Sequence, residues 1–351
     1  MKKYFLTIFI IFIFYPFEAF SECAKPTMPS DAEWQQWLSE IYDEAHIFGI
    51  SKTTLDREFT NLKPLKKVIL RDRCQPESTI TFKEYVYYRL DKTRVYSGEV
   101  KIKEYKNELE IISKNFNIQP RFIVSIWGLE SYYGSSQGKS KIIPGLATLT
   151  FDQRRSEFYK KQLFAALKML DDNLVQSEKL LGSWAGAMGQ VQFLPTTFLE
   201  SAVDFDNDGK KDIWNNEIDV FASIANYLTS LDRAPWDSSL TWGIEVNLPE
   251  NINEIYDSLK QTNPKGCYAV KSMSIEKTIS EWSSLGFKNI NGELLANNKI
   301  KESHNARLVM PDGLKGRAFL VFQNYKSILY YNCSHYYAIT IGLLSDKFIN
   351  D

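Results

Sequence analysis

Histidine is scarce in this chain. There are three in 351 residues, His46, His304 and His335, too scattered to suggest a zinc cluster. An excess of charge is missing as well, since 42 basic side chains face 43 acidic ones and the formal charge is −1. That balance excludes a nucleic-acid binder working through bulk positive potential, and it excludes an acidic, disordered solvating protein. The four cysteines include no Cys-x-x-Cys pair, which argues against a redox enzyme. Repeats of fixed period and low-complexity tracts are absent too. What remains is ample apolar material, 44% of the residues, and a high aromatic share of 14%. The length suits two domains, or one large domain with insertions.

One apolar run stands out, and it is N-terminal. Met1-Lys2-Lys3 is followed by apolar sequence from Tyr4 to Phe17 and then by Glu18-Ala19-Phe20-Ser21. A basic start, an apolar stretch and a small-x-small site describe a secretory signal peptide, with cleavage expected after Ser21. The run is shorter than the roughly 20 residues that a spanning helix needs, so a membrane anchor is not expected. Glu22 stands before Cys23 where a lipobox needs a small residue, so a lipid anchor is not expected either. Export makes the cysteines read as two disulfides. Three connectivities are open. Cys23 with Cys74 and Cys267 with Cys333 keeps each bridge inside one half of the chain and is the pairing expected; free buried thiols are the alternative.

From Asp31 to about Tyr227 the pattern is helical. Ser30 offers an N-cap with acids in the first turn, and Trp34, Trp37, Leu38 and Ile41 follow at helical spacing. The stretch from Lys83 to Phe116 and those from Ser156 and from Glu217 share that period, and Pro120 and Pro195 can each open a helix. After about Pro235, Trp242, Ile244, Val246 and Leu248 alternate with polar or small residues, as in a strand. Ala306 to Met310 is strand-like, and Ala318 to Phe322 with Ser327 to Tyr330 suggests a hairpin around Gln323-Asn324-Tyr325. Helical spacing returns from Ser334 to Phe348. The expected fold is therefore mainly α with a small β-containing part, α+β in class.

Three segments carry candidate chemistry. On a helix opened by Pro120, Glu130 follows Ile123 by seven residues, Ile126 by four and Trp127 by three. That places it on the apolar stripe, where desolvation raises the pKa of a carboxyl. A carboxylic acid still protonated near neutral pH is what a general acid for glycosidic cleavage requires. A buried acid paired with an arginine would look the same in sequence. The second segment, Gly182 to Pro195, is rich in small residues and carries Gln192; it reads as tight packing or as the wall of a sugar cleft. The third, Asp204 to Asp212, has acids at positions 1, 3, 5 and 9 and Gly209 at position 6 of an EF-hand calcium loop. The Lys210 carbonyl would serve position 7. Position 12 is Asn215 rather than Glu, so Asp219 or Glu217 would have to close the site; a solvated Asp-rich turn is the alternative.

Taken in order, Glu130-Ser131-x-x-Gly134, Leu146-Ala147-Thr148-Leu149-Thr150-Phe151-x-x-Arg154-Arg155, Gly186-Ala187-Met188-Gly189-x-x-Gln192-Phe193-x-Pro195, the Asp loop, Ala225-Asn226-Tyr227-Leu228 and Tyr331-Asn332-x-Ser334-x-x-Tyr337-Ala338 resemble the membrane-bound lytic murein transglycosylase B family. The resemblance implies a lysozyme-like helical core at 119–235. A helical region at 22–118 would precede it, after the signal at 1–21. A small β-containing region at 236–330 and a helix at 331–351 returning to the core would follow. It implies cleavage of the bond between N-acetylmuramic acid and N-acetylglucosamine in peptidoglycan, with formation of a 1,6-anhydro product and with Glu130 as both acid and base. Ser183, Gln192, Tyr227, Tyr337, Tyr331 and Tyr85 match cleft positions. Asp204, Asp206, Asp208, the Lys210 carbonyl and Asp219 match a structural calcium site, with no cofactor for the chemistry itself. Peptidoglycan strands are the implied substrate, other cell-wall enzymes are candidate partners, and a monomer in the periplasm is expected. A hydrolytic muramidase or chitinase on the same core, and a silent murein-binding scaffold, are the alternative readings. The motif departs from the family where Cys333 interrupts the late tyrosine motif and where Cys267 lies in a lengthened segment.

Overall fold

The computed structural model describes residues 28–73, 80–232 and 234–349. The expected signal peptide and the Cys23–Cys74 pairing lie outside those residues.

The chain begins as a run of helices: α1 (Asp31–Phe48), α2 (Lys52–Phe59), α3 (Lys66–Arg73), α4 (Phe82–Arg89), α5 (Lys92–Glu104) and α6 (Lys106–Phe116). Ser30 caps α1 reciprocally with Glu33, whose carboxylate accepts from the Ser30 amide at 2.8 Å. Trp34, Leu38, Ile41 and Ala45 then form its buried stripe. The periodic stretch from Lys83 to Phe116 is broken into three helices because Asp91 caps a new start and the helix axis is interrupted again at Tyr105.

Next come α7 (Pro120–Ser131), α8 (Ile142–Phe151), α9 (Ser156–Asp171), α10 (Pro195–Ser201) and α11 (Glu217–Thr229). A short two-stranded ribbon, β1 (Ser140–Lys141) with β2 (Leu181–Gly182), lies among them. The remainder alternates strands and short helices: β3 (Gly243–Asn247), α12 (Ile252–Ile255), α13 (Tyr268–Ser272), β4 (Glu276–Thr278), α14 (Ile279–Ser284), β5 (Lys288–Asn289), β6 (Asn305–Val309) and β7 (Ala318–Val321). The strands form one antiparallel sheet in the order β4-β6-β7-β3-β5. Two helices close the chain, α15 (Gln323–Tyr331) and α16 (His335–Asp346).

The main core runs from Trp34 to Phe348 and centres on α7, against which α5, α11 and α16 pack. A smaller core under the sheet gathers Ile279, Trp282, Phe287, Leu308 and Leu320. The fold is mainly α with a small sheet, as the sequence indicates.

One element differs from the sequence expectation. Residues Ser327 to Tyr330 are not the second strand of a hairpin but part of α15. The buried positions there are Asn324, Tyr325, Ser327, Ile328 and Leu329, which is helical spacing rather than alternation. The Asn324 side chain fixes the start of the helix by bonding the backbone of Asp237 at 2.7 Å in both directions.

The Cys267–Cys333 disulfide joins α13 to the link between α15 and α16. Beside it, the imidazole of His335 lies 2.8 Å from the Tyr325 hydroxyl through Nδ1 and 2.9 Å from Ser272 Oγ through Nε2. Every donor finds an acceptor if Tyr325 donates to a bare Nδ1, Nε2–H donates to Ser272, and Ser272 donates to the Ala269 carbonyl at 3.1 Å. Burial pushes the His335 pKa down to about 4. The folded protein therefore favours the neutral ring. Its contribution to stability is complete above the unfolded value of 6.5 and is lost as pH falls from there towards about 4. The urea midpoint is expected to drop across that window, and to drop less steeply in His335→Gln; equal slopes would refute the assignment.

Candidate active site

α7 is built from residues that bury on every side. Phe122 to Leu129 and Ser131 are all buried, and Glu130 is the one partly exposed position in that span. Glu130 thus does not sit on one apolar stripe of an amphipathic helix. It is the single polar opening in a helix enclosed all round. The helix ends at Ser131, and the next three residues are left-handed: Tyr132 (φ 52°), Tyr133 (φ 57°) and Gly134 (φ 83°). Tyrosine rarely adopts that conformation, and strain of this kind persists only where surrounding contacts impose it. Here the Tyr133 hydroxyl donates to the Arg94 carbonyl at 2.8 Å and the Gly134 amide donates to Ser131 Oγ at 3.0 Å. A Cβ on Gly134 would collide with Gln190 Oε1, which Trp127 holds in place, and with the left-handed backbone this favours glycine there.

Desolvation raises the Glu130 pKa from 4.5 to about 7. The Tyr337 hydroxyl and, more weakly, the positive field of Arg89 hold it down from still higher values. Neither is a carboxylate. Tyr337 is buried, and its hydroxyl bears on Glu130 without closing, among the described residues, a hydrogen bond of normal geometry. Because the neutral carboxyl is the favoured form, Glu130 costs the fold nothing below pH 4.5 and an increasing amount as pH rises to about 7. Glu130→Gln is expected to raise the melting temperature at pH 8 and to leave it unchanged near pH 4; a variant no more stable at pH 8 would contradict the desolvation.

Aromatic rings surround the acid. Tyr227 and Tyr331 meet edge-on at 4.8 Å, each lies 5.7 Å from Phe193, and Tyr331 stacks on Tyr337 at 6.5 Å between centroids. Burial and the nearby Glu130 hold the Tyr331 phenol protonated. Tyr227 donates to the Tyr330 carbonyl at 2.5 Å and Tyr331 to the Val191 carbonyl at 2.6 Å, which fixes α11 and α15 to the Gly182–Pro195 turn. Tyr85 reaches the same neighbourhood from α4, within the field of Tyr337 and 5.7 Å from the Tyr336 ring. The structure thus gathers Glu130, Tyr85, Tyr227, Tyr331 and Tyr337.

Ser183 and Gln192 belong to the turn itself. Ser183 Oγ accepts from the amides of Ala185 at 3.3 Å and Ala187 at 3.0 Å. The Gln192 amide nitrogen donates to the carbonyls of Gly189 at 2.7 Å and Gln137 at 3.0 Å, from a left-handed backbone (φ 51°). Both side chains shape the wall before they can contact anything bound to it. Sequence reasoning passed over Gln190. Its buried amide accepts from Trp127 Nε1 at 2.6 Å and donates to the Trp214 carbonyl at 3.1 Å, locking α7 to the turn. A second glutamine in a Gly-Gln-x-Gln sequence was the only available signal.

In the Asp loop, carboxylate oxygens of Asp204, Asp206 and Asp219 lie within 4.8 Å of one another. Asp219 is fully buried and accepts from the amides of Phe205 at 2.8 Å and Asp212 at 2.9 Å. Asp208 stands outside the trio, its Oδ1 accepting from the Lys210 amide at 2.8 Å, while Asn215 turns to Asp212. Three converging hard oxygens fit a cation such as calcium. Burial pushes the Asp219 pKa up, a penalty that a bound cation would offset. The Gln190 backbone N–H donates to the Ile213 carbonyl at 2.8 Å, so the residues that follow the loop also brace the Gly182–Pro195 turn.

A family model described as the transglycosylase SLT domain matches residues 33–346. The membrane-bound lytic murein transglycosylase B of Escherichia coli strain K12 is 37% identical over 203 residues, 55% of this chain and 55% of that protein. The chain thus matches about half the length of that curated relative. Among solved structures, SltB3 from Pseudomonas aeruginosa in complex with NAG-anhNAM-pentapeptide is 39% identical, covers 90% of this chain and 79% of its own, and superposes with a TM-score of 0.79. The Escherichia coli lytic transglycosylase SLT35 in complex with calcium is 25% identical, covers 92% and 95%, and gives 0.70.

Proposed function

The chain belongs to the transglycosylase SLT family, and we propose that it is a lytic transglycosylase that cleaves the β-1,4 bond between N-acetylmuramic acid and N-acetylglucosamine in peptidoglycan. The observation that carries this reading is a partly exposed carboxyl, Glu130, whose pKa burial lifts to about 7 among protonated tyrosines. Glu130 gives its proton to the glycosidic oxygen, and the N-acetylglucosamine leaves as an alcohol. The muramic C1 passes through an oxocarbenium-like state. Glu130, now ionised, takes the proton of the C6 hydroxyl, and that oxygen bonds to C1. Water is not consumed, and one carboxyl returns to its starting state. The Tyr337 hydroxyl steadies the ionised form between the two transfers. The ordinary two-carboxylate arrangement has no counterpart in the groups that bear on Glu130.

Ser183, Gln192 and the tyrosines Tyr85, Tyr227 and Tyr331 line the sugar cleft in this reading, offering ring faces and amides to uncharged amino sugars. Asp204, Asp206 and Asp219 would hold a structural calcium ion, whose charge would balance the buried acid and stiffen the loop, with Asp208, set outside that trio, and the Lys210 carbonyl as the further ligands of this reading. The chemistry itself needs no cofactor. The enzyme acts as an exported periplasmic monomer on glycan strands, beside other wall enzymes; among the described residues no helix is long and apolar enough to cross a membrane. Residues 119–235 are its catalytic core, with the helical and β-containing regions on either side.

Mass spectrometry of muropeptides released from purified peptidoglycan tests the reading. Anhydro products are expected, one water lighter than hydrolysed ones. Hydrolysed ends would favour a muramidase, and binding with no released product would favour a scaffold.

A further inference from the structure

We propose that the Cys267–Cys333 disulfide is a thiol-sensitive positioning element for the reaction at Glu130. It holds the link between α15 and α16, and through that link it sets Tyr331 and Tyr337 against the acid; a dithiol that opens it slows turnover. The proposal rests on the glycan reading above and adds a control on its rate.

Cys333 occupies the middle of a three-residue link, Asn332 to Ser334, with α15 ending at Tyr331 and α16 starting at His335. Tyr331 therefore stands two positions before the bridge and Tyr337 four positions after it. Their rings stack on each other at 6.5 Å, and α16 packs along α7, which carries Glu130. The Tyr331 hydroxyl is tied to the Val191 carbonyl at 2.6 Å. Tyr337 is buried, but among the described residues no hydrogen bond of normal geometry fixes its hydroxyl. Where that hydroxyl stands is therefore set by the start of α16. The link defines that start: Ser334 Oγ accepts from the Tyr337 amide at 3.4 Å, and the Ser334 amide donates to the Asn332 carbonyl at 2.7 Å.

Asn332 and Cys333 are exposed, so packing does not hold the link. Its ties come from α13: the disulfide to Cys267, the Ala269 amide at 3.4 Å from Cys333 Sγ, and Ser272 Oγ at 2.9 Å from His335. α13 is itself well anchored. The Gln261 side chain donates to the carbonyls of Val270 at 3.0 Å and Met273 at 2.8 Å, and Ser274 Oγ accepts from the Leu308 amide in β6 at 2.7 Å. The bridge thus fastens the two helices that face the acid to the sheet region, across a separation of 66 residues.

The same exposure makes the bridge reachable. Cys333 lines a cavity of about 430 Å³ with Tyr268, Ser272 and Tyr336, which a small dithiol can enter. One thiolate of the dithiol attacks a bridge sulfur, forms a mixed disulfide and releases the other cysteine as a thiolate. The second thiol then displaces the first cysteine. Two electrons pass to the protein, the reductant leaves as its own disulfide, and its two protons end on the cysteines. The link keeps only the hydrogen bonds from Ala269 and Ser272, and Tyr337 loses its fixed stand beside Glu130.

The test measures muropeptide release by the full protein before and after dithiothreitol, in the wild type, in Cys267→Ser/Cys333→Ser and in Tyr337→Phe. Reduction is expected to lower kcat of the wild type about tenfold. The serine pair should start at that lower rate and not respond, which assigns the effect to this bridge rather than to the other cysteines. In Tyr337→Phe, where the hydroxyl is already gone, reduction should change the residual rate by no more than about twofold. An equal loss in Tyr337→Phe and in the wild type would make the bridge a stabiliser of the fold and overturn the proposal, as would an unchanged wild-type rate. Should the serine pair fail to fold, the comparison of wild type with Tyr337→Phe under reductant stands by itself. The carbon-13 resonance of the Glu130 carboxyl is a second readout that needs no substrate, and it should move on reduction. If the wild type releases no muropeptide in either state, the glycan reading falls; a resonance that stays in place on reduction overturns this proposal alone.

Discussion

Replacing Glu130 with glutamine is expected to lower turnover of peptidoglycan about a thousandfold while glycan affinity changes by no more than about twofold. Glutamine keeps the volume and the polar edge of the acid in a helix whose neighbours from Phe122 to Leu129 are buried, so the cleft wall does not collapse. What it removes is the transferable proton. The groups that bear on Glu130 are a tyrosine and an arginine, and neither is a carboxyl that could take over the transfer. Steady-state release of muropeptides, read beside equilibrium binding to intact strands, separates the two effects. Full activity in the variant would show that the acid has been misassigned; lost binding with unchanged turnover per bound strand would make Glu130 a contact rather than an acid.

The largest effect on stability is expected at Asp219. Its carboxylate is fully buried and satisfies two backbone amides, those of Phe205 and Asp212. Asp219→Ala leaves both without acceptors and removes one of the three converging acids, at a cost of about 2–5 kcal/mol. The wild-type protein should also lose melting temperature when a chelator is added, and the variant should not respond. Because the Gln190 amide bonds to Ile213 of the same loop, part of the activity should go with the stability. A urea midpoint equal to that of the wild type, or a variant that still responds to the chelator, would remove the loop from both roles.

Much of the site was legible because its parts are local. Pro120 opens α7, and the distance from Ile123 to Glu130 is fixed by the helical repeat. The bridge from Cys267 to Cys333 followed from keeping cysteine pairs within one half of the chain. The environment of the acid was less legible, because it is supplied by distant sequence. Tyr331 and Tyr337 arrive from α15 and α16, about 200 residues later in the chain. Nothing in the period of α7 shows that its outer face will also be covered, and so a stripe was expected where the helix is enclosed. α15 was misread because Ser327 to Tyr330 is too short to display its period without Asn324 and Tyr325. Gln190 was invisible for a different reason. A buried amide that locks two elements together looks, in sequence, like any other polar residue.

Desolvation alone keeps the Glu130 carboxyl protonated close to neutral pH. Carbon-13 labelling of the glutamate side chains, with Glu130→Gln to identify the resonance, allows its titration to be followed directly. A midpoint of about 7 is predicted, against 4.5 for an unperturbed side chain. A midpoint near 4.5 would mean that the carboxyl is ionised under working conditions, and it could not then act as the acid that starts the reaction.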